Sequence, residues 1–176
     1  MKIFAETDRL ILRELTPEDA PGIFELDADP EVQRHVGNKP LTHIEQAHEV
    51  IAFIRKQYED NGIGRWAMIH KATGAFLGWT GLKLMKTPIN GRINYYDLGY
   101  RLLRKHWGAG YATESAIASL KYGFEEMNLP AVFAIADMDN QGSQHVLQKA
   151  GLRHTADIMY DGSLHKWYEL QNALIR

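Results

Sequence analysis

Cysteine is absent from all 176 residues of the chain. That excludes a disulfide framework, thiolate metal sites and an acyl-cysteine intermediate on the protein itself. Excess charge is missing as well: 20 Lys and Arg stand against 22 Asp and Glu, a net charge of −2, with no block of one sign. Such a balance offers no surface to nucleic acid or to an anionic membrane, and neither is expected as a partner. No apolar run approaches membrane-spanning length, and the opening MKIFAETDRL lacks the apolar centre of a signal peptide. The expectation is a soluble, cytoplasmic protein forming a single domain over residues 1–176. Repeats, linkers and low-complexity segments are also lacking. Of the eight histidines, none pair at the spacing of helix-borne ligands (His43 and His48 are five apart), so no metal site is expected.

What is present is a change of period along the chain. Residues 9–15 alternate as a strand. Thr16, Pro17 and Asp19 then read as the cap and first turn of a helix carrying Ile23, Phe24 and Leu26. A short second helix is expected after Asp29-Pro30, and Thr42-x-x-Glu45 reads as the capping box of a long helix ending near Asn61-Gly62. Period two follows over 65–70, 76–85 and 93–103, with turns at Lys71–Gly74 and around Pro88. A helical run follows Gly110, then a buried strand at 131–136, a helix at 141–150 capped by Asn140 and closed by Gly151, and two strands at 152–159 and 164–170. The order defines an α/β (α+β) domain with a mixed sheet.

Residues 97–118, DLGYRLLRKHWGAGYATESAIA, carry most of the functional signal. A strand with Leu98, Tyr100 and Leu102 feeds a basic turn, then Gly108-Ala109-Gly110, then a helix. Bare N–H groups at the positive end of that helix suit a phosphate or diphosphate. Two common phosphate loops are excluded. A Walker A loop needs Lys-Ser/Thr after its last glycine, where Tyr111-Ala112 stand. A dinucleotide fingerprint needs a small residue where Thr113 stands.

Trp107-Gly108-Ala109-Gly110-Tyr111-Ala112 does resemble the Gln/Arg-x-x-Gly-x-Gly/Ala motif of the GNAT acyl-CoA N-acetyltransferases, with Trp107 in the Gln/Arg position. HWGAGYATES is similar to the branch of Rim-type ribosomal-protein N-terminal acetyltransferases. The run from Asn140 to Leu152 resembles that branch's Asn-x-x-Ser…Gly-Phe segment, with Leu152 for Phe. The order of elements matches over nearly the whole chain.

The resemblance implies a mixed, mostly antiparallel sheet of six to seven strands, with a V-shaped splay and helices on both faces. It implies acetyl-CoA as co-substrate and an amine acceptor. The pantetheine arm would pair with the backbone of Leu102 and Leu103. The diphosphate would lie on Trp107, Gly108, Ala109, Gly110, Tyr111, Ala112 and Thr113. Asn140 would hold the arm from the other side of the V, and Ser143 would face the thioester. At neutral pH an amine acceptor is mostly protonated, since reference pKa values are about 7.7–8.0 for an α-amine and about 10.4 for lysine. A proton acceptor is therefore needed, and Asp97 occupies the acidic position of the branch's Glu/Asp-Ile-Gly-Tyr pattern. The tyrosine acid of some members is replaced by Leu147, which leaves Ser143 as the candidate acid. The expected activity is N-acetylation of a protein N-terminus or small primary amine in a ternary complex, by a monomer or homodimer. A catalytically silent acyl-CoA-binding module is the alternative.

Overall fold

The computed structural model describes residues 1–173. In chain order the elements are β1 (Ile3–Glu6), β2 (Leu10–Glu14), α1 (Ala20–Ala28), α2 (Pro30–Gln33), α3 (Ile44–Asn61), β3 (Trp66–His70), β4 (Phe76–Met85) and β5 (Tyr95–Leu102). They continue with α4 (Tyr111–Lys121), β6 (Ala131–Asp137), α5 (Gln141–Lys149), β7 (Arg153–Tyr160) and β8 (Ser163–Gln171). All strands join one sheet, ordered β1-β2-β3-β4-β5-β6-β8-β7. Every pairing is antiparallel except β5 with β6.

The sheet has eight strands, not the six to seven expected. The addition is β1, four residues whose alternation is too short to register and whose identity comes from pairing with β2. Helix starts follow local chemistry. The Thr16 N–H donates to Asp19 Oδ2 at 2.8 Å, and a single 3-10 turn leads into α1. At α3 the box shifts by one residue: Gln46 Oε1, not Glu45, accepts from the Thr42 and His43 N–H groups at 2.8 and 3.0 Å. His43 is therefore the N-cap, and Gly62 closes α3 at φ 73°.

Strand alternation sorts the core into two layers. Leu10, Leu12, Trp66, Met68, Leu98, Leu102 and Ala134 point to the face covered by α4 and α5, where they meet Ala116, Leu120 and Leu147. Ala67 and Ile69 point to the opposite face, against Ile23 of α1 and Ala47, Ile51 and Ile54 of α3.

The feature that creates a site is the junction of β5 and β6. They share one register position, Asp97 opposite Phe133. Beyond it, residues 98–102 pair with β4 alone and residues 134–137 with β8 alone. Two inner strands therefore turn unpaired backbone edges toward each other across a gap.

Candidate active site

The gap has two differently built sides, and the backbone of β5 divides them. The Leu103 N–H donates to Leu77 O at 2.9 Å, toward β4. Strand alternation then turns the N–H and carbonyl of Leu102 into the gap. There the Leu102 carbonyl accepts from the Trp107 indole N–H at 2.9 Å. This corrects the expectation for Leu103, whose N–H is engaged by β4 and whose side chain is buried with Leu26 and Val32. The Leu102 N–H is the group that faces the gap.

After Leu103 one 3-10 turn, Arg104–His106, brings the chain to Trp107 and the glycine loop. Gly108 and Gly110 adopt φ of 77° and 84°, a left-handed backbone that glycine reaches without the cost other residues meet. Gly110 is the N-cap of α4, so the N–H groups of Tyr111, Ala112 and Thr113 have no carbonyl one turn earlier to receive them. A Cβ at Gly108 would meet nothing within 4 Å, and one at Gly110 only Arg9 Nη2 at 3.3 Å. The loop is thus an open cradle of N–H groups at a helix's positive end, which fits a diphosphate. Beside it lies an open cleft of about 630 Å³ lined by Gly110, Thr113, Ile117 and Lys149.

Side chains from the β1–β2 turn hold this loop in place. Glu114, in the first turn of α4, accepts from Thr7 Oγ1 at 2.6 Å, the Arg9 N–H at 3.1 Å and Arg9 Nε at 2.7 Å. Burial alone would raise its carboxyl pKa, but these donors outweigh it and hold the group below its ordinary value. Arg9 also donates to the Ala109 carbonyl at 2.9 Å and lies over the Tyr111 ring, 4.3 Å from its centroid. The Ala112 carbonyl accepts from Ser115 Oγ at 3.0 Å. Neither Arg9 nor Glu114 belonged to the expected site, because their role is to fix the loop.

Across the gap on the same face, α5 presents Asn140 and Ser143. Asn140 Oδ1 accepts from the Ser143 N–H at 3.2 Å, the cap interaction expected of it. Ser143 is tied to β5 by Tyr100, whose hydroxyl donates to the Ser143 carbonyl at 2.8 Å and lies 3.0 Å from Ser143 Oγ. Burial pushes the Tyr100 phenol well up, so it stays protonated as a lasting donor. Sequence reasoning passed over Tyr100 as a strand residue. The available signal was its parity, which sets it on the face opposite Asp97.

Asp97 faces the α1–α3 side. Its Oδ2 lies 2.5 Å from Arg65 Nη2, while Arg65 Nη1 donates to the carbonyls of Asp97 and Gly81 at 2.7 Å each. Gly99 makes room for this guanidinium, since a Cβ there would fall 2.8 Å from Arg65 Cζ. Burial raises the Asp97 pKa, and Arg65 and Lys83 pull it back without cancelling the rise. No protein hydrogen bond engages Asp97 Oδ1 among the described residues. Trp79 forms the neighbouring wall, with Arg65 and Arg101 at 5.3 and 5.0 Å from its ring. His35 Nδ1 lies 3.7 Å from Asp137 Oδ1, at the end of β6. Trp66 is wholly buried in the α4–α5 layer instead. Among the described residues no group of three or more His, Asp or Glu could hold a metal ion.

An unzipped pair of inner strands, with a loop of free N–H groups on one face and a half-buried carboxylate on the other, is a geometry suited to presenting a phosphate-bearing coenzyme to a second substrate. The acetyltransferase (GNAT) domain model matches residues 9–153, and the chain belongs to that family of N-acetyltransferases, which use acetyl-CoA. YoaA, an uncharacterized N-acetyltransferase of Bacillus subtilis, is 31% identical over 148 residues, 84% of this chain and 81% of that protein. The FsC-acetyl coenzyme A-N(2)-transacetylase of Aspergillus fumigatus is 33% identical over 152 residues, 84% of this chain and 64% of that protein. The structure of RimL, a ribosomal L7/L12 alpha-N-protein acetyltransferase in complex with coenzyme A, superposes with a TM-score of 0.81 over 97% of this chain and 98% of its own. At 16% identity that is a likeness of fold. No helix among the described residues is long and apolar enough to cross a membrane.

Proposed function

We propose that the enzyme acetylates a primary amine by direct attack within a ternary complex, in a single domain that works as a monomer or homodimer in the cytoplasm. The observation that carries this reading is the single shared register position of β5 and β6, Asp97 opposite Phe133. On this reading the coenzyme reaches from the cradle of residues 107–113 to the splay, and Asp97 meets it from the other face of β5.

Residues on the α4–α5 face bind the donor. The amides of Gly108, Ala109, Gly110, Tyr111, Ala112 and Thr113 receive the diphosphate, with Trp107 bracing the loop against the Leu102 carbonyl. The Leu102 N–H pairs with the pantetheine arm or polarises the acyl oxygen, and Asn140 and Ser143 line the opposite wall. Acetyl-CoA supplies an activated acyl carbon and a thiolate leaving group. From the α1–α3 face, Asp97 accepts the ammonium proton through Oδ1 or an intervening water, so that the neutral amine can attack. Its raised pKa makes it a stronger base than an ordinary aspartate. Arg65 fixes the carboxylate through Oδ2 alone. Ser143 Oγ, 3.0 Å from Tyr100 Oη, relays a proton to the departing sulfur, giving up its own O–H proton as it takes one from a water so that no alkoxide is left; the thiol form is favoured near neutrality (free thiol pKa about 8.5). Relatives whose names point to a protein N-terminus and to FsC support an amine acceptor without choosing its kind.

The test is acetyl-CoA-dependent thiol release across a panel of amines, run beside calorimetry with CoA. Sub-millimolar CoA binding and release stimulated by at least one amine are expected. Absence of CoA binding would sink the reading.

A further inference from the structure

We propose that Arg101 selects an acceptor carrying a carboxylate close to its amine, such as a free amino acid or small amino-carboxylate, over a polyamine or neutral amine. This deepens the function proposed above and rests on the gap being the site of transfer.

Arg101 precedes Leu102 on β5, so alternation puts its side chain on the α1–α3 face, the acceptor side, next to the backbone that turns into the gap. Its Nη1 is held by Asp27 Oδ1 at 2.7 Å. Asp27 is itself buried and bonded by Gln33 Nε2 at 3.3 Å, so α1 and α2 fix one edge of the guanidinium. Its guanidinium carbon lies 5.0 Å from the Trp79 ring centroid, a cation–π contact. The other edge is different: Nε–H is buried and has no acceptor. A buried donor of a charged group without a partner is costly, and proteins keep few of them. Among the described residues Nη2 also has no protein acceptor, and the side chain keeps 20% of its surface exposed, so a carboxylate can reach the guanidinium at Nη2 in a charge-assisted bond. Arg65, on the same wall, has both of its Nη atoms engaged by protein oxygens.

The surroundings agree in sign. Lys83 lies opposite Asp97 in register, so Lys83, Arg65 and Arg101 all belong to this wall, against the carboxylates of Asp97 and Asp27. A polycation would meet three positive side chains there. On the facing strand, Asp137 stands four residues beyond Phe133, as Arg101 stands four beyond Asp97. The two splayed strands thus carry opposite charges at matching heights on one face. A zwitterion fits this arrangement: carboxylate toward Arg101 and ammonium toward the base Asp97, with Asp137 adding negative charge across the gap.

The experiment compares kcat/KM, with saturating acetyl-CoA, for free amino acids, the corresponding α-amides and spermidine. The acids should exceed their amides and spermidine by about tenfold or more, the scale of one charge-assisted pair. Arg101→Lys keeps a cation beside Asp27 but loses the fork. It should raise KM for the acids about tenfold, reduce the acid-to-amide ratio toward one and leave the CoA-induced rise in Tm unchanged. Amides or spermidine turning over as well as the acids in the unaltered enzyme would overturn the proposal, whether or not the variant folds. So would an acid preference that survives Arg101→Lys. If no amine is acetylated and CoA gives no thermal shift, the transfer reading falls and takes this one with it, whereas turnover without acid preference removes the role of Arg101 alone.

Discussion

On the α4–α5 side of the gap, the groups assigned to the coenzyme are, apart from Asn140 and Ser143 at the start of α5, main-chain N–H groups within one stretch, residues 102–113. On the α1–α3 side, the assigned groups are side chains drawn from the start of β3, from β4 and β5, and from α1 and α2. The first kind of site needs a particular backbone, and a particular backbone leaves a mark in the sequence: two glycines at positive φ before a helix. The second kind needs a particular assembly. Arg65 and Asp97 are 32 positions apart and Asp27 and Arg101 are 74 apart, and no local pattern joins them. Under the proposed assignment, donor recognition is written locally and acceptor recognition is written in the tertiary structure.

The sharpest way to break that contrast is to damage the backbone cradle alone. Gly110→Val forces a β-branched residue to φ 84°, beside Arg9. CoA affinity should fall about a hundredfold or more by calorimetry, since several N–H contacts are lost together. Retained affinity would mean that side chains, not amides, hold the diphosphate.

The acceptor side is sharpened by Arg65→Lys. Arg65 lowers the Asp97 pKa against the burial that raises it, so weakening the pair should let the pKa climb further. Transfer needs the carboxylate, so activity is lost as pH falls through that pKa. The acid limb of kcat/KM should accordingly lie above that of an ordinary aspartate and move to still higher pH in the variant. A loss of about 1–3 kcal/mol in stability should accompany it, from the charged hydrogen bonds removed. An unmoved acid limb would detach Asp97 from the proton transfer.

Tyr100→Phe should have the smallest effect. It removes the donor to Ser143 without removing Ser143, so turnover should slow several-fold, with CoA binding unchanged. Stopped-flow thiol release checks this, and a normal rate would leave Ser143 as a capping-turn residue only.

How much of this was legible beforehand follows the same division. The glycine loop, the strand carrying Asp97, the Asn140 cap and the layered α+β order were all readable, because each rests on spacing or on a residue's local bonding. β1 was not, since four residues carry too short an alternation and pairing alone defines them. Leu103 was misread because which amide of a strand points to which neighbour depends on register, here fixed by Leu77 of β4. Glu114 carries no local signal, because the bonds that tie α4 to Thr7 and Arg9 span more than a hundred positions.

The division of labour across the gap is tested most directly by Asp97→Asn, with CoA binding measured by calorimetry and acetyl transfer measured in a single turnover on the same preparation. The account predicts an unchanged CoA affinity and a transfer rate lower by about 10²–10⁴, the usual span for a lost general base. A variant that transfers acetyl at the original rate, or one that no longer binds CoA while remaining folded, would contradict it.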